Sequence, residues 1–98
     1  MVPAREKTLE ILRHIYPLLS EKYGVTKIGI FGSVARNETN EKSDIDIVYE
    51  MAKPNLFTVV HLKDELEGAF NVSVDLVRYR QKLNPYLKKK IESEAVYV

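Results

Sequence analysis

The stretch Phe31–Tyr49, FGSVARNETNEKSDIDIVY, sets both the fold and the candidate chemistry of this chain. Aspartate is uncommon in strands, yet Asp44 and Asp46 lie in a run of apolar, β-branched residues. Residues two apart in a strand face the same side of a sheet, so both carboxylates project together, with Cα atoms about 7 Å apart. Like charges on one face repel each other unless a cation lies between them, and Mg²⁺ takes oxygen ligands of this kind. The spacing therefore suggests a metal site.

A Gly-Ser turn precedes the two aspartates and ends the strand before them. If the SVAR segment opens a helical turn, its free backbone N–H groups form an anion site, to which Gly32 allows close approach and Ser33 adds a hydroxyl. Arg36 lies one helical turn after Ser33 and can bring a guanidinium to the same phosphate. Two plainer interpretations stay open, with Ser33 as a helix N-cap and Arg36 as a solvated helix residue.

Asp75 is the third candidate carboxylate. It lies within Val72–Val77, where apolar residues alternate as in a strand, and an unpaired buried carboxylate there would be costly. Such a group suits a general base, and three carboxylates can hold two metal ions about 3.5 to 4 Å apart for phosphoryl chemistry. The alternatives are that Asp44 caps a turn, that Asp46 pairs with a nearby lysine or arginine, and that Asp75 is a salt-bridged strand residue.

Hydrophobic periodicity around these motifs predicts an α+β fold, a small mixed β-sheet flanked by short helices. Pro17 is expected to kink the first helix or to split it. The predicted elements are a helix over 4–23 closed by Gly24, strands 27–31 and 44–49 paired antiparallel, a helix from Leu56 to Ala69, a strand 72–77, a helix 86–93 and an edge strand in the terminal AVYV.

The composition of the chain limits the classes of protein to which it can belong. The chain has 98 residues, 45% hydrophobic and 30% charged, which predicts one compact domain spanning residues 1–98. The net charge of +1 argues against sequence-independent nucleic-acid binding. The absence of cysteine excludes disulfides and thiolate metal sites. No stretch approaches a membrane span, and the N-terminus lacks a signal-type apolar core, so we expect no membrane partner and a cytoplasmic protein.

Taken together, the motifs resemble a known family. A Gly-Ser-x-x-Arg turn, a Ser-Asp-x-Asp strand and a later strand aspartate are the pattern of the minimal nucleotidyltransferases of the DNA polymerase β superfamily. The resemblance covers most of the chain, including the YGV, IGIFGS, VDLV and EAV segments. The residues that carry it are Gly32, Ser33, Arg36, Ser43, Asp44, Asp46 and Asp75.

The resemblance implies a polymerase β-like nucleotidyltransferase fold that uses Mg²⁺, as two ions, and a nucleoside triphosphate, usually ATP, to transfer a nucleoside monophosphate to an acceptor hydroxyl. It implies that Asp44, Asp46 and Asp75 hold metal and form the catalytic set, and that Gly32, Ser33 and Arg36 bind the nucleotide. Several members of the group are antitoxins that AMPylate a tyrosine of a HEPN-domain toxin, so the resemblance also implies a HEPN partner.

One departure from the family pattern is Asn37, since members commonly carry glycine after the arginine. Asparagine tolerates a left-handed backbone better than most residues, so the turn is expected to survive. Two other functions stay open: a catalytically weak nucleotide-binding module that neutralises a toxin by binding, and transfer to a small molecule or an RNA end. The acceptor, the base preference and assembly as a homo-oligomer are also left open.

Overall fold

A computed structural model describes residues 4–38 and 44–98 of the chain. Helices and strands alternate along it, as the sequence predicts. The helices are α1 (Arg5–Tyr23), α2 (Gly32–Ala35), α3 (Leu56–Phe70) and α4 (Pro85–Glu94), and the strands are β1 (Val25–Phe31), β2 (Ile45–Met51), β3 (Val74–Arg78) and β4 (Val96–Tyr97). None of the helices in these described ranges is long and apolar enough to cross a membrane.

Helix α1 runs without a break through Pro17, so the predicted split does not occur. Pro17 lies on the exposed side of the helix, where water can reach the carbonyl that lacks a backbone donor. Leu12 and Leu19, both fully buried, anchor the two halves to the core. The predicted end of the helix is confirmed, because Gly24 adopts a left-handed conformation, with φ of 73°, and its N–H donates to the Ser20 carbonyl at 3.0 Å.

The strands form one mixed sheet in the order β3-β2-β1-β4. Strand β1 pairs antiparallel with β2, as predicted, and antiparallel with β4, the predicted terminal edge strand. Strand β3 runs parallel to β2, with α3 as the crossover between them. The α+β fold class is confirmed. Strand β3 begins two residues later than predicted, because Asn71 at φ of 58° ends α3 and residues 72–73 are needed to enter the sheet.

The two faces of the sheet are covered differently. One face packs against α1 and α3 and contributes the larger core, which includes Ile28, Ile30 and Ile47. The other face carries Asp46 and Val48, two residues apart, and is covered by α4 alone through a small cluster of Phe31, Val48, Leu83 and Ile91. Because α4 has only ten residues, it covers part of this second face, and Asp75 at the edge of that face is exposed.

Candidate active site

Asp46 and Asp75 are direct register partners on the parallel strands β2 and β3. Asp46 also lies opposite Phe31, the last residue of β1, so the pair sits where β1 passes into α2. Burial raises the pKa of Asp46 from 3.8 to about 6, and the negative charge of Asp75 is the second cause. The fold therefore holds two like charges together at some cost to the protein.

Asp44 is exposed and lies just before β2. Its charge also raises the pKa of Asp46, by less than burial or Asp75 does. In residues 4–38 and 44–98, however, no three His, Cys, Asp or Glu side chains converge closely enough to hold a metal ion. The structure thus pairs Asp46 with Asp75 in register, and Asp44, two residues before Asp46, is near enough for its charge to act on the Asp46 carboxyl.

The chemistry of the pair fits a hard divalent cation. The donors are carboxylate oxygens, the ligands Mg²⁺ prefers, and a cation between Asp46 and Asp75 would relieve the repulsion that disfavours the ionised form of Asp46. Asp46 and Asp75 would hold such an ion, with Asp44 beside them at the start of β2.

The expectation that Asp75 is the buried, costly carboxylate is wrong. Asp75 is exposed, whereas Asp46 is half-buried. The reason is the partial covering of this face, since α4 packs over the centre of the sheet and β3 is an edge strand. Asp75 is consequently open to a second molecule, which suits a residue that meets an acceptor group.

Gly32 packs directly against Asp46. It adopts φ of +73°, and a Cβ built on it would lie 2.0 Å from Asp46 Oδ2. Only glycine permits this approach, so the turn and the carboxylate fix each other's position. Ser33 is half-buried and is the second residue of α2, while Phe31 occupies the N-cap position, so the N-cap interpretation of Ser33 is wrong. Ser43, part of the motif, lies outside the described residues.

Arg36 is not a free surface residue. Its Nη1 donates to Glu94 at 2.9 and 3.0 Å, one hydrogen bond to each carboxylate oxygen, and its Nε donates to Glu38 at 3.2 Å. The Gly32 backbone N–H donates to the same Glu94 carboxylate at 3.2 Å. Glu94 was not predicted as a site residue, although it lies in the EAV segment that carries the family resemblance, one residue beyond the predicted helix 86–93.

Lys90 is a second contribution of α4 to the site. It lies one helical turn before Glu94 and is half-buried, and its positive charge acts to lower the pKa of Asp46 against the larger opposing effect of burial. From the sequence, Lys90 belongs to a basic C-terminal region that is ordinarily a solvated face. Its position shows that α4 brings one cation toward the carboxylate pair.

Asn37, where this chain departs from the family pattern, keeps the backbone of the turn. It adopts φ of 60°, and its N–H donates to the Val34 carbonyl at 3.0 Å. The expectation that asparagine would take the left-handed conformation is confirmed.

Replacing Asn37 by Ala should lower the free energy of unfolding by about 1 kcal/mol, because alanine pays the full cost of a left-handed backbone. Asn37→Gly should be close to neutral. Urea denaturation followed by circular dichroism measures both. Equal stability of the Ala variant and the wild type would show that residue 37 is not held in the left-handed region.

Comparison with known proteins agrees with this geometry. The family model of polymerase beta nucleotidyltransferases matches residues 13–98. A protein of Methanocaldococcus jannaschii named as a putative protein adenylyltransferase is 47% identical over 90 residues, covering 91% of this chain and 92% of its own. The solved structure of a minimal nucleotidyltransferase, itself named as putative, is 34% identical, with a TM-score of 0.77 over 96% of this chain and 95% of that chain.

A more distant structure shares the fold. It is the complex of a tri-AMPylated HEPN toxin from Shewanella oneidensis with an MNT antitoxin, and its matching chain is 22% identical, with a TM-score of 0.58 over 95% of this chain and 66% of that chain. The family model covers most of the chain, and the relatives match over nearly its whole length. The chain therefore belongs to the polymerase beta nucleotidyltransferase family and is an enzyme of the nucleotidyltransferase class.

Proposed function

We propose that this chain transfers AMP from ATP to a tyrosine hydroxyl of a HEPN-domain toxin and acts as its antitoxin, as a single cytoplasmic domain spanning residues 1–98. The observation that carries the proposal is the Asp46–Asp75 register pair beside the Gly32 turn, at an edge of the sheet that α4 leaves open. The names of the relatives, a protein adenylyltransferase and an MNT antitoxin bound to an AMPylated HEPN toxin, support transfer of AMP to a protein and a HEPN toxin as the partner. The tyrosine is what the family resemblance implies.

The residues divide the work of the transfer between them. Asp75, which is exposed, takes the proton from the acceptor hydroxyl as the acceptor oxygen forms a bond to the α-phosphorus. The bond from the α-phosphorus to the oxygen that bridges to the β-phosphorus breaks, and pyrophosphate leaves with that electron pair. Asp44 and Asp46, with Asp75, would hold Mg²⁺, which supplies charge neutralisation at the phosphates when bound. Ser33, the second residue of α2, would bind the triphosphate through its hydroxyl, beside the turn at Gly32 that packs against Asp46.

The open edge favours an acceptor carried by another macromolecule. Asp75 and Asp44 are both exposed, so a partner's side chain can reach them without a conformational change that opens a pocket. The net charge of +1 provides little attraction for RNA. A tyrosine on a protein surface fits these conditions better than a small molecule, which would require a closed pocket for affinity.

A neutralisation experiment tests the proposal against the rival function, a toxin binder without catalysis. A HEPN toxin that co-purifies with this chain is co-expressed with the wild type, with Asp46→Asn, and with Asp64→Asn, a matched control at an exposed position of α3 on the opposite face of the sheet. We expect growth with the wild type and the control, and toxicity with Asp46→Asn although it still co-purifies with the toxin. Full protection by Asp46→Asn would instead support neutralisation by binding alone.

A further inference from the structure

The carboxylate of Glu94 joins both ends of α2. It accepts the N–H of Gly32, the first residue of the helix, at 3.2 Å, and both of its oxygens accept from Nη1 of Arg36, which follows the last residue, at 2.9 and 3.0 Å. Glu94 and Gly32 are 62 residues apart in the sequence. One side chain of α4 thus connects the C-terminal part of the fold to the turn beside Asp46.

Nothing within α4 itself explains an acid at this position. Glu94 is the last residue of the helix, where the dipole disfavours negative charge, and the last turn of α4 contains no basic residue. The Glu94 side chain is only 23% exposed, so its charge is partly desolvated and requires compensation. Arg36 and the Gly32 N–H supply that compensation, which indicates that the acid is placed for the turn and not for the helix.

The connection continues to the candidate catalytic carboxylate. The Cα of Gly32 lies so close to Asp46 that no side chain fits between them. A shift of the turn therefore requires a shift of Asp46, and the Gly32 N–H is one of the backbone groups that would otherwise be unsatisfied at the start of α2. Glu94 thus holds the turn by hydrogen bonds from a helix that is distant in the sequence.

We propose that Glu94 is a positioning residue of the nucleotide site, one that fixes the Gly32 turn against Asp46 and holds Arg36 across α2. The inference rests on the proposed function for its ligand, a nucleoside triphosphate with Mg²⁺. The opposite role would be that of an intramolecular anion occupying the place of a phosphate, which the nucleotide must displace. The two roles predict changes of opposite sign when Glu94 is removed.

The test uses Glu94→Ala and Glu94→Gln, with Glu92→Ala as the matched control, because Glu92 is an exposed acid two residues away on the same helix. Binding of the Mg²⁺ complex of AMP-PNP, a non-hydrolysable ATP analogue, is measured by calorimetry. We expect Glu94→Ala to raise the Kd about tenfold or more, since charge-assisted hydrogen bonds are lost. The Kd of Glu94→Gln should lie between those of the wild type and Glu94→Ala, because the glutamine amide oxygen can still accept a hydrogen bond from the Gly32 N–H. Glu92→Ala should bind as the wild type does.

A second readout needs no nucleotide. Hydrogen exchange of the Gly32 amide, followed by NMR, should be slow in the wild type, much faster in Glu94→Ala, and partly rescued in Glu94→Gln. Unchanged exchange in Glu94→Ala, or a Kd that is unchanged or lower, would overturn the positioning role. If the wild type binds no nucleotide, the proposed function fails, and the Gly32 exchange rates still decide whether Glu94 positions the turn.

A double-mutant cycle locates the path of the effect. In the Arg36→Ala background, Glu94→Ala should raise the Kd by a smaller factor than in the wild type, because the shared ion pair is already lost. Equal factors in the two backgrounds would show that Arg36 is not part of the arrangement and would contradict the proposal in that respect.

Discussion

Replacing Asp46 by Asn should lower the rate of AMP transfer about a thousandfold or more while making the protein more stable without divalent ions at pH 8. Loss of an ionised metal ligand removes several kcal/mol of charge stabilisation from the transition state. Asparagine, however, carries no charge that burial beside Asp75 would penalise. Activity and stability thus move in opposite directions, which a general loss of folding would not produce.

The sign of the pH dependence follows from the raised pKa. Asp46 titrates near pH 6 in the folded chain and near 3.8 when unfolded, so between these values the folded state binds more protons. Asp46 should therefore contribute a loss of stability as the pH rises from about 4 to about 6, levelling off above that, whereas Glu65, whose pKa is lowered by its hydrogen bond with Tyr23, contributes in the opposite direction. For a half-buried group the loss amounts to roughly 1–2 kcal/mol after allowance for solvent screening.

Thermal melts in EDTA across this pH range measure the effect. Asp46→Asn should lack this part of the pH dependence, and Asp75→Asn should reduce it without removing it, because burial is the larger cause and the charge of Asp75 the second. Added Mg²⁺ should raise the Tm of the wild type at pH 8 and leave that of Asp46→Asn nearly unchanged. An Asp46→Asn variant that is less stable than the wild type at pH 8 in EDTA would contradict a strained carboxylate pair.

Gly32→Ala should destabilise the protein by about 3 kcal/mol or more and abolish transfer. The new Cβ would lie 2.0 Å from Asp46 Oδ2, and the backbone there has φ of +73°. The clash therefore adds to the cost of a left-handed alanine, and relief requires the turn or the carboxylate to move. Chemical denaturation gives the stability, and transfer to the partner gives the activity.

Gly24→Ala is the matched control, because Gly24 has the same φ of +73° with nothing within 4 Å of a built Cβ. Gly24→Ala should lower the free energy of unfolding by about 1 kcal/mol and leave transfer intact. This variant therefore measures the cost of a left-handed alanine without a clash. Adding Asp46→Ala to Gly32→Ala should recover part of the lost stability, since the contacting carboxylate is gone. Equal destabilisation by the two glycine variants would show that Gly32 does not press against Asp46.

Local patterns in the sequence predict the elements well because each depends on neighbouring residues. The steps of three and four in α1 and the left-handed Gly24 are local properties. The predicted strand 44–49 began one residue too early, since Asp44 precedes β2. The predicted split of α1 at Pro17 does not occur because Pro17 lies on the exposed side of the helix, where water can hydrogen-bond to the unpaired carbonyl. Which side is exposed depends on how α1 packs on the sheet.

The arrangement of the candidate site could not be predicted without the topology of the sheet. Asp46 meets Asp75 only because β3 enters parallel to β2 in a register that aligns them, and no local signal specifies that register. The exposure of Asp75 follows from the short reach of α4, and the contacts of Glu94 join residues 62 positions apart. The family resemblance supplies the expected roles of the aspartates, while the structure adds the contribution of α4.

Intact mass spectrometry of the partner tests the central claim most directly. A HEPN toxin that co-purifies with this chain is incubated with Mg-ATP and the wild type, Asp46→Asn or the control Asp64→Asn, and the toxin is then weighed. We predict AMP-sized additions with the wild type and the control, located on a tyrosine by fragmentation, and none with Asp46→Asn. An unmodified toxin that is nonetheless bound and silenced by the wild type would contradict the account.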